Sequence, residues 1–177
     1  MPIPPLDNGV LPHGRWSVSR EELYAFAQGL GDVDRRSKLL TDWDELTNAL
    51  REVVGSVAAC WLSGSFFTSK DWPNDLDVVY WVHRDQIVQS RGDADKALFL
   101  QLVADSQVKS LGLELDSYLL AWWPRPGSHR GSAERKRDYL ESRGYWDDLW
   151  CRVRDPDLKR DKLIRRGYVE VIIDGYS

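Results

Sequence analysis

Asp75 and Asp77 flank Leu76 and lead directly into the apolar stretch Val78-Val79-Tyr80-Trp81-Val82. That stretch reads as a β-strand, and alternate side chains of a strand share a face, so the two carboxylates point the same way. Side by side they repel each other and lose hydration, a cost that a cation between them removes. A magnesium ion carrying nucleotide phosphates suits that role, because it prefers one or two carboxylates together with phosphate oxygens. Upstream, an apolar run over 57–62 reads as a buried strand and breaks at Ser63-Gly64-Ser65. Small residues there let backbone N–H groups come close to a bound anion. Taken alone, Asp-x-Asp is more often a turn at a solvated strand edge. The strand and the Gly-Ser break ahead of it shift the balance toward a metal–phosphate site.

Leu62-Ser63-Gly64-Ser65, a short loop, and Asp75-Leu76-Asp77-Val78 resemble the signature of the polymerase-β-like nucleotidyltransferase superfamily. The longer string Gly64-Ser65-Phe66-Phe67-Thr68-Ser69-Lys70, with Pro73-Asn74 ahead of the acids, is similar to small, minimal prokaryotic and phage members of it. Some wider relatives of that group act in toxin–antitoxin and defence modules. The opening, Ile3-Pro4-Pro5-Leu6-Asp7-Asn8-Gly9-Val10-Leu11-Pro12-His13-Gly14, also resembles the start of that group.

The resemblance implies an α/β (α+β) fold with a mixed β-sheet flanked by helices. It implies transfer of a nucleoside monophosphate from a nucleoside triphosphate to a hydroxyl of tRNA, protein or a small molecule. Mg2+ or Mn2+ would be the cofactor. Catalysis of that kind is mostly positioning and charge neutralisation on the phosphates, with divalent ions held by carboxylates. In this superfamily a third carboxylate on a neighbouring strand completes the second metal site. Asp116, inside the otherwise apolar Leu115-Asp116-Ser117-Tyr118, is the leading candidate, with Glu114 its rival by strand alternation. Gly64 and Ser65 are the expected phosphate contacts, and Thr68 and Lys70 further ones. The loop departs from the better-known pattern, which commonly carries another Gly or Arg after Gly-Ser, where this chain has Phe66 and Phe67.

A second reading keeps the fold and discards the catalysis: a regulatory or antitoxin-like module that binds a cognate protein partner. In a third, Asp75 and Asp77 are a solvated turn of a structural or interaction protein.

With 177 residues, one domain spanning 1–177 is expected, with an irregular 1–16, a core over 56–121 and a C-terminal helix and strand over 134–177. A net charge of −4 argues against a generally basic nucleic-acid surface. Cys60 and Cys151 have no zinc spacing and read as buried small hydrophobes, in a strand and a helix respectively. His13, His83 and His129 are scattered and read as surface residues. The start of the chain has neither a basic n-region nor an apolar h-region, and no stretch is apolar enough to span a membrane, so a cytoplasmic protein is expected. Most of the nine Trp are expected to be buried, with several left to line a groove.

Ser19-Arg20-Glu21-Glu22 reads as a capping box opening a helix that ends near Gly29 or Gly31. Leu39, Trp43, Leu46, Leu50 and Val53 form one helical face that Gly55 ends, with Thr41 a possible interruption. Residues 83–95 read as a loop or helix start, 97–103 as a helix, and 113–121 as a third strand. Pro124-Arg125-Pro126-Gly127-Ser128 is a breaker, 134–152 a helix, and 167–173 a last strand. The run Lys159-Arg160-Asp161-Lys162-Leu163-Ile164-Arg165-Arg166 is the main basic concentration. It reads as a solvated face or as a contact for RNA or an acidic partner, which Arg135, Lys136 and Arg137 could join.

Overall fold

The computed structural model describes residues 3–123, 132–153, 157–161, 163 and 165–176. The expected breaker at 124–128, His129, Lys162 and Ile164 lie outside the described residues, as do the side chains of Arg135, Lys136 and Arg160. Strand β1 (Arg15–Val18) is followed by helices α1 (Arg20–Gln28) and α2 (Val33–Val54). Strands β2 (Ala59–Ser63) and β3 (Leu76–His83) come next, then helices α3 (Arg84–Ser90) and α4 (Ala94–Ala104). Strand β4 (Leu115–Trp122), helices α5 (Ser132–Trp150) and α6 (Leu158–Asp161), and strand β5 (Tyr168–Ile172) complete the order. The five strands form one mixed sheet in the order β1-β5-β2-β3-β4.

Local chemistry accounts for the helix ends. Ser19 Oγ accepts from the Glu22 amide at 3.2 Å while Glu22 accepts from the Ser19 amide at 2.9 Å, closing the capping box at the start of α1. Asp32 accepts from the Arg35 amide and opens α2, and Gly55, at φ +91°, ends it. Thr41 does not interrupt α2. Its hydroxyl donates back to the Ser37 carbonyl at 2.9 Å, a bond that a continuous helix provides.

Strand alternation divides the sheet into two faces. Cys60, Leu62, Val78, Tyr80, Val169 and Val171 pack with Leu39, Trp43, Leu46 and Leu50 of α2. On the other face, Trp61, Val79, Trp81 and Tyr168 pack with Trp150 from α5. Arg143 of α5 stacks over Trp61 and Trp81, 5.2 and 5.5 Å from the ring centroids. Trp43, Trp61, Trp81, Trp122 and Trp150 are buried, so burial is indeed the fate of most of the nine Trp.

Several boundaries differ from the sequence expectation. β1 begins at Arg15, inside the stretch expected to be irregular, because 15–18 pair in parallel with β5. Pairing also extends β2 through Ser63, which lies opposite Asp77, and places β4 at 115–122 rather than 113–121. Cys151 is buried but follows the last residue of α5. The remaining N-terminal segment drapes over the domain as expected: Val10 bridges Thr68, and the Ser69 amide donates to the Gly9 carbonyl at 2.9 Å. Among the described residues no helix is long and apolar enough to cross a membrane.

Candidate active site

β2 runs antiparallel to β3, and β3 runs parallel to β4. The last residues of β2 and the first residues of β3 and β4 therefore meet at one end of the sheet. Ser63 is opposite Asp77, and Asp77 is opposite Asp116. Asp75 precedes β3. These three carboxylates, with Gly64, Ser65 and Thr68, line one side of a cavity of ≈ 680 Å³. That volume lies within the usual range for small-molecule sites, about 300–1,000 Å³.

Gly64 is held at φ +89°, where a side chain would be strained, and a Cβ added there would overlap the Asp77 carboxylate. This close approach brings the Gly64-Ser65 backbone beside the acid. Ser65–Phe67 then turns as a short 3-10 segment, and burial of Phe66 and Phe67 anchors it. The Thr68 hydroxyl donates to the Ser65 carbonyl at 2.8 Å and accepts from the Lys70 amide at 3.2 Å, so its main role is to shape the loop.

Asp75 and Asp116 share a cation. Lys109, from a 3-10 turn over Val108–Leu111, places its Nζ 2.9 Å from Asp75 and 2.6 Å from Asp116. Asp116 also accepts from the Ser106 hydroxyl at 3.1 Å. The paired carboxylates push the Lys109 ammonium pKa up, chiefly through the hydrogen bonds to Asp116 and Asp75. Asp77 lies deeper. Burial, reinforced by the charges of Asp75 and Asp116, pushes its carboxyl up to about 6, against the weaker pull of Arg166 and Lys109.

Arg166 lines the same cavity and acts on Asp77 through its charge. Its guanidinium donates to the Trp150 carbonyl at 2.9 Å and to the Gly64 carbonyl at 3.3 Å, and the Asp77 charge partly offsets the burial that lowers its pKa. Tyr118, Trp146, Leu149 and Trp150 contribute aromatic and apolar surface to the same cavity. Tyr118 and Trp146 pack with ring centroids 4.3 Å apart. Arg152 and Arg166 add positive charge to the cavity lining.

The loop between Gly64 and Asp75 is held from behind by two arginines of α2. Arg36, fully buried, donates to the carbonyls of Phe66, Thr68 and Lys70 at 3.3, 3.1 and 2.7 Å. It also donates to Gly31 and, at 3.3 Å, to Asp71. Arg35 donates to the carbonyls of Pro73, at 2.8 Å, and Asn74, and pairs with Glu114. One helix end thus fixes the backbone from Phe66 to Asn74, and with it the position of the acids.

Asp75, Asp77, Asp116, Gly64, Ser65 and Thr68 are brought together around the cavity. Glu114 is not: it precedes the first residue of β4 and turns to Arg35, so strand alternation does not carry it onto the face of Asp116. Lys70 is exposed and lies outside the cavity lining; it serves the loop through its carbonyl and amide. The basic run 159–166 is not a uniformly solvated face, since Arg166 turns inward beside Gly64. His13 is exposed, and His83 caps α3 by accepting from the Asp85 amide at 3.2 Å. Sequence reasoning missed Lys109, Arg166 and the Arg35-Arg36 pair. Only the arginines left a signal: two cations in the first turn of a helix oppose the macrodipole and need partners elsewhere.

Among the described residues no group of three or more His, Cys, Asp or Glu side chains forms a preformed metal cage. The donor set nevertheless fits a hard divalent cation. Asp75, Asp77 and Asp116 converge on one cavity, and burial together with the charges of Asp75 and Asp116 raises the Asp77 pKa, a cost that a hard divalent cation among the three would relieve.

Residues 4–172 match the model of a family of unknown function, DUF6932, and the chain belongs to that family. Comparisons with curated proteins and with solved structures return no match.

Proposed function

We propose that the protein is a divalent-cation-dependent nucleotidyltransferase. The observation that carries this reading is the meeting of Asp75, Asp77 and Asp116 beside Gly64-Ser65 at one end of the sheet, in a cavity with an aromatic wall. A magnesium or manganese ion held by these carboxylates would neutralise the triphosphate and lower the pKa of an acceptor hydroxyl. The Gly64-Ser65 segment receives the phosphates, and the Asp77 side chain is kept close to it by the absence of a Cβ at 64. Arg166 balances phosphate charge at the inner edge of the cavity. Trp146 and Tyr118 offer faces on which a nucleobase can stack.

In the reaction the acceptor oxygen forms a bond to the α-phosphorus. The bond from that phosphorus to the α–β bridging oxygen breaks, and pyrophosphate leaves with the electron pair. Asp116, whose side chain is 32% exposed, takes the hydroxyl proton and passes it to water. The acceptor is a hydroxyl of tRNA, of a protein side chain or of a small molecule. By its resemblance to minimal members of the polymerase-β-like nucleotidyltransferase superfamily, the setting proposed is a toxin–antitoxin or phage-defence module.

Calorimetric titration of each nucleoside triphosphate with Mg2+ tests the binding half of this reading. Binding that Asp75→Asn with Asp77→Asn abolishes supports it. Equal heats with the doubly substituted protein contradict it.

One observation favours a second reading. Lys109 already neutralises two of the three carboxylates, as a metal-free module that binds a protein partner would require.

A further inference from the structure

We propose that Lys109 is an intramolecular stand-in for the divalent cation, exchanged when the metal loads. The inference rests on the reading of Asp75, Asp77 and Asp116 as a cation site. The Lys109 ammonium lies 2.9 Å from one Asp75 oxygen and 2.6 Å from one Asp116 oxygen, in the position between the two carboxylates that a cation joining them would take. Both cannot occupy the position, because like charges that close repel strongly.

The structure also supplies the means of exchange. The Lys109 side chain is 49% exposed, whereas those of Asp75 and Asp116 are 23% and 32% exposed. The acids are fixed by strand register and loop clamps, but the lysine reaches them from a short 3-10 turn that Gly112 ends at φ +85°. Four rotatable side-chain bonds let the ammonium swing out to water with little backbone change. Ser106, which donates to Asp116, remains as a neutral partner after the lysine leaves. In the unloaded protein Lys109 therefore removes the repulsion that would otherwise splay the acids, and it sets a threshold that the metal must exceed.

Charge and exchange make separate predictions. Mn2+ alone is titrated by calorimetry into wild-type protein, Lys109→Met and Lys109→Gln, with Asp75→Asn as the site control. Removing the competing charge is expected to tighten Mn2+ binding about tenfold in both lysine variants. In parallel, mass spectrometry follows labelling of Lys109 by an amine-reactive reagent with and without Mg2+. Labelling is expected to rise with Mg2+ in wild type and to stay constant in Asp75→Asn. Unchanged or weaker Mn2+ affinity in the lysine variants, or labelling indifferent to Mg2+, overturns the exchange while leaving the carboxylate site intact. No Mn2+ binding by wild type or by either lysine variant overturns both the exchange and the site reading.

Discussion

Gly64 and Asp77 approach so closely that the glycine has no room for a Cβ: an added methyl would overlap the Asp77 carboxylate. Gly64 also sits at φ +89°, where an L side chain is strained independently of space. Gly64→Ala is therefore expected to cost about 1–3 kcal/mol of stability, measured by denaturant unfolding. Because relief comes by moving Asp77, the variant also loses Mn2+ binding at temperatures where it remains folded. A stable Gly64→Ala protein with normal Mn2+ affinity would show that the contact does not position the acid.

The buried Asp77 carboxyl makes stability depend on pH in a defined direction. Its folded-state pKa, about 6, lies above the ordinary aspartate value of 3.8, so the folded protein binds more protons between those values. The resulting penalty is absent below about pH 4, grows as pH rises, and is complete above about pH 7. Asp77→Asn removes it. The variant is expected to be more stable than wild type at pH 7.5, by up to about 3 kcal/mol, and to approach wild type at pH 4. Thermal unfolding across that range in chelator-treated buffer is the check. A stabilisation largest at pH 4 would contradict the assignment.

Arg36 connects a buried guanidinium in α2 to five carbonyls, four of them in the loop that follows Gly64. Arg36→Met would leave those acceptors without partners and is expected to cost about 3 kcal/mol or more. Arg36→Lys recovers only part of that, since an ammonium cannot reproduce the planar fork. Hydrogen exchange should show faster opening of 66–74 in Arg36→Lys, ahead of any change in β2 or β5.

The pair Trp146 and Tyr118 gives a prediction for the ligand. Trp146→Ala is expected to weaken nucleoside triphosphate binding by about 1–3 kcal/mol, the scale of base–aromatic stacking, with Trp146→Phe keeping most of the affinity. Calorimetry at fixed Mg2+ measures both. Equal losses in nucleotide and inorganic triphosphate affinity would place Trp146 against the phosphates instead.

How legible this arrangement was in the sequence depends on the range of each interaction. Asp75, Asp77 and Gly64 belong to two strands and the loop between them, so alternation and turn chemistry bring them together from one contiguous stretch. Asp116 required the additional assumption that a third strand lies beside the second, which the parallel pairing of β3 with β4 supplies. Glu114 exposed the limit of alternation, which holds only inside the ladder, and the ladder begins at Leu115. Lys109 reaches Asp75 and Asp116, and Arg166 reaches the Gly64 carbonyl, from segments with no periodicity of their own. Nothing in Val108-Lys109-Ser110 or Arg165-Arg166-Gly167 marks one cation as directed inward, because tertiary placement alone decides it. The exposed Lys70 illustrates the same point in reverse, since proximity in sequence to a phosphate loop does not aim a flexible side chain into it.

Label transfer tests the central claim most directly. Purified protein is incubated with each α-labelled nucleoside triphosphate, Mg2+ or Mn2+, total tRNA and cell extract, beside the protein carrying Asp75→Asn and Asp77→Asn. The account predicts label on RNA, protein or a small molecule, with release of pyrophosphate, only when both acids are intact. Folded wild-type protein that transfers no label from any of the four nucleotides, or transfers it equally without the acids, would contradict it.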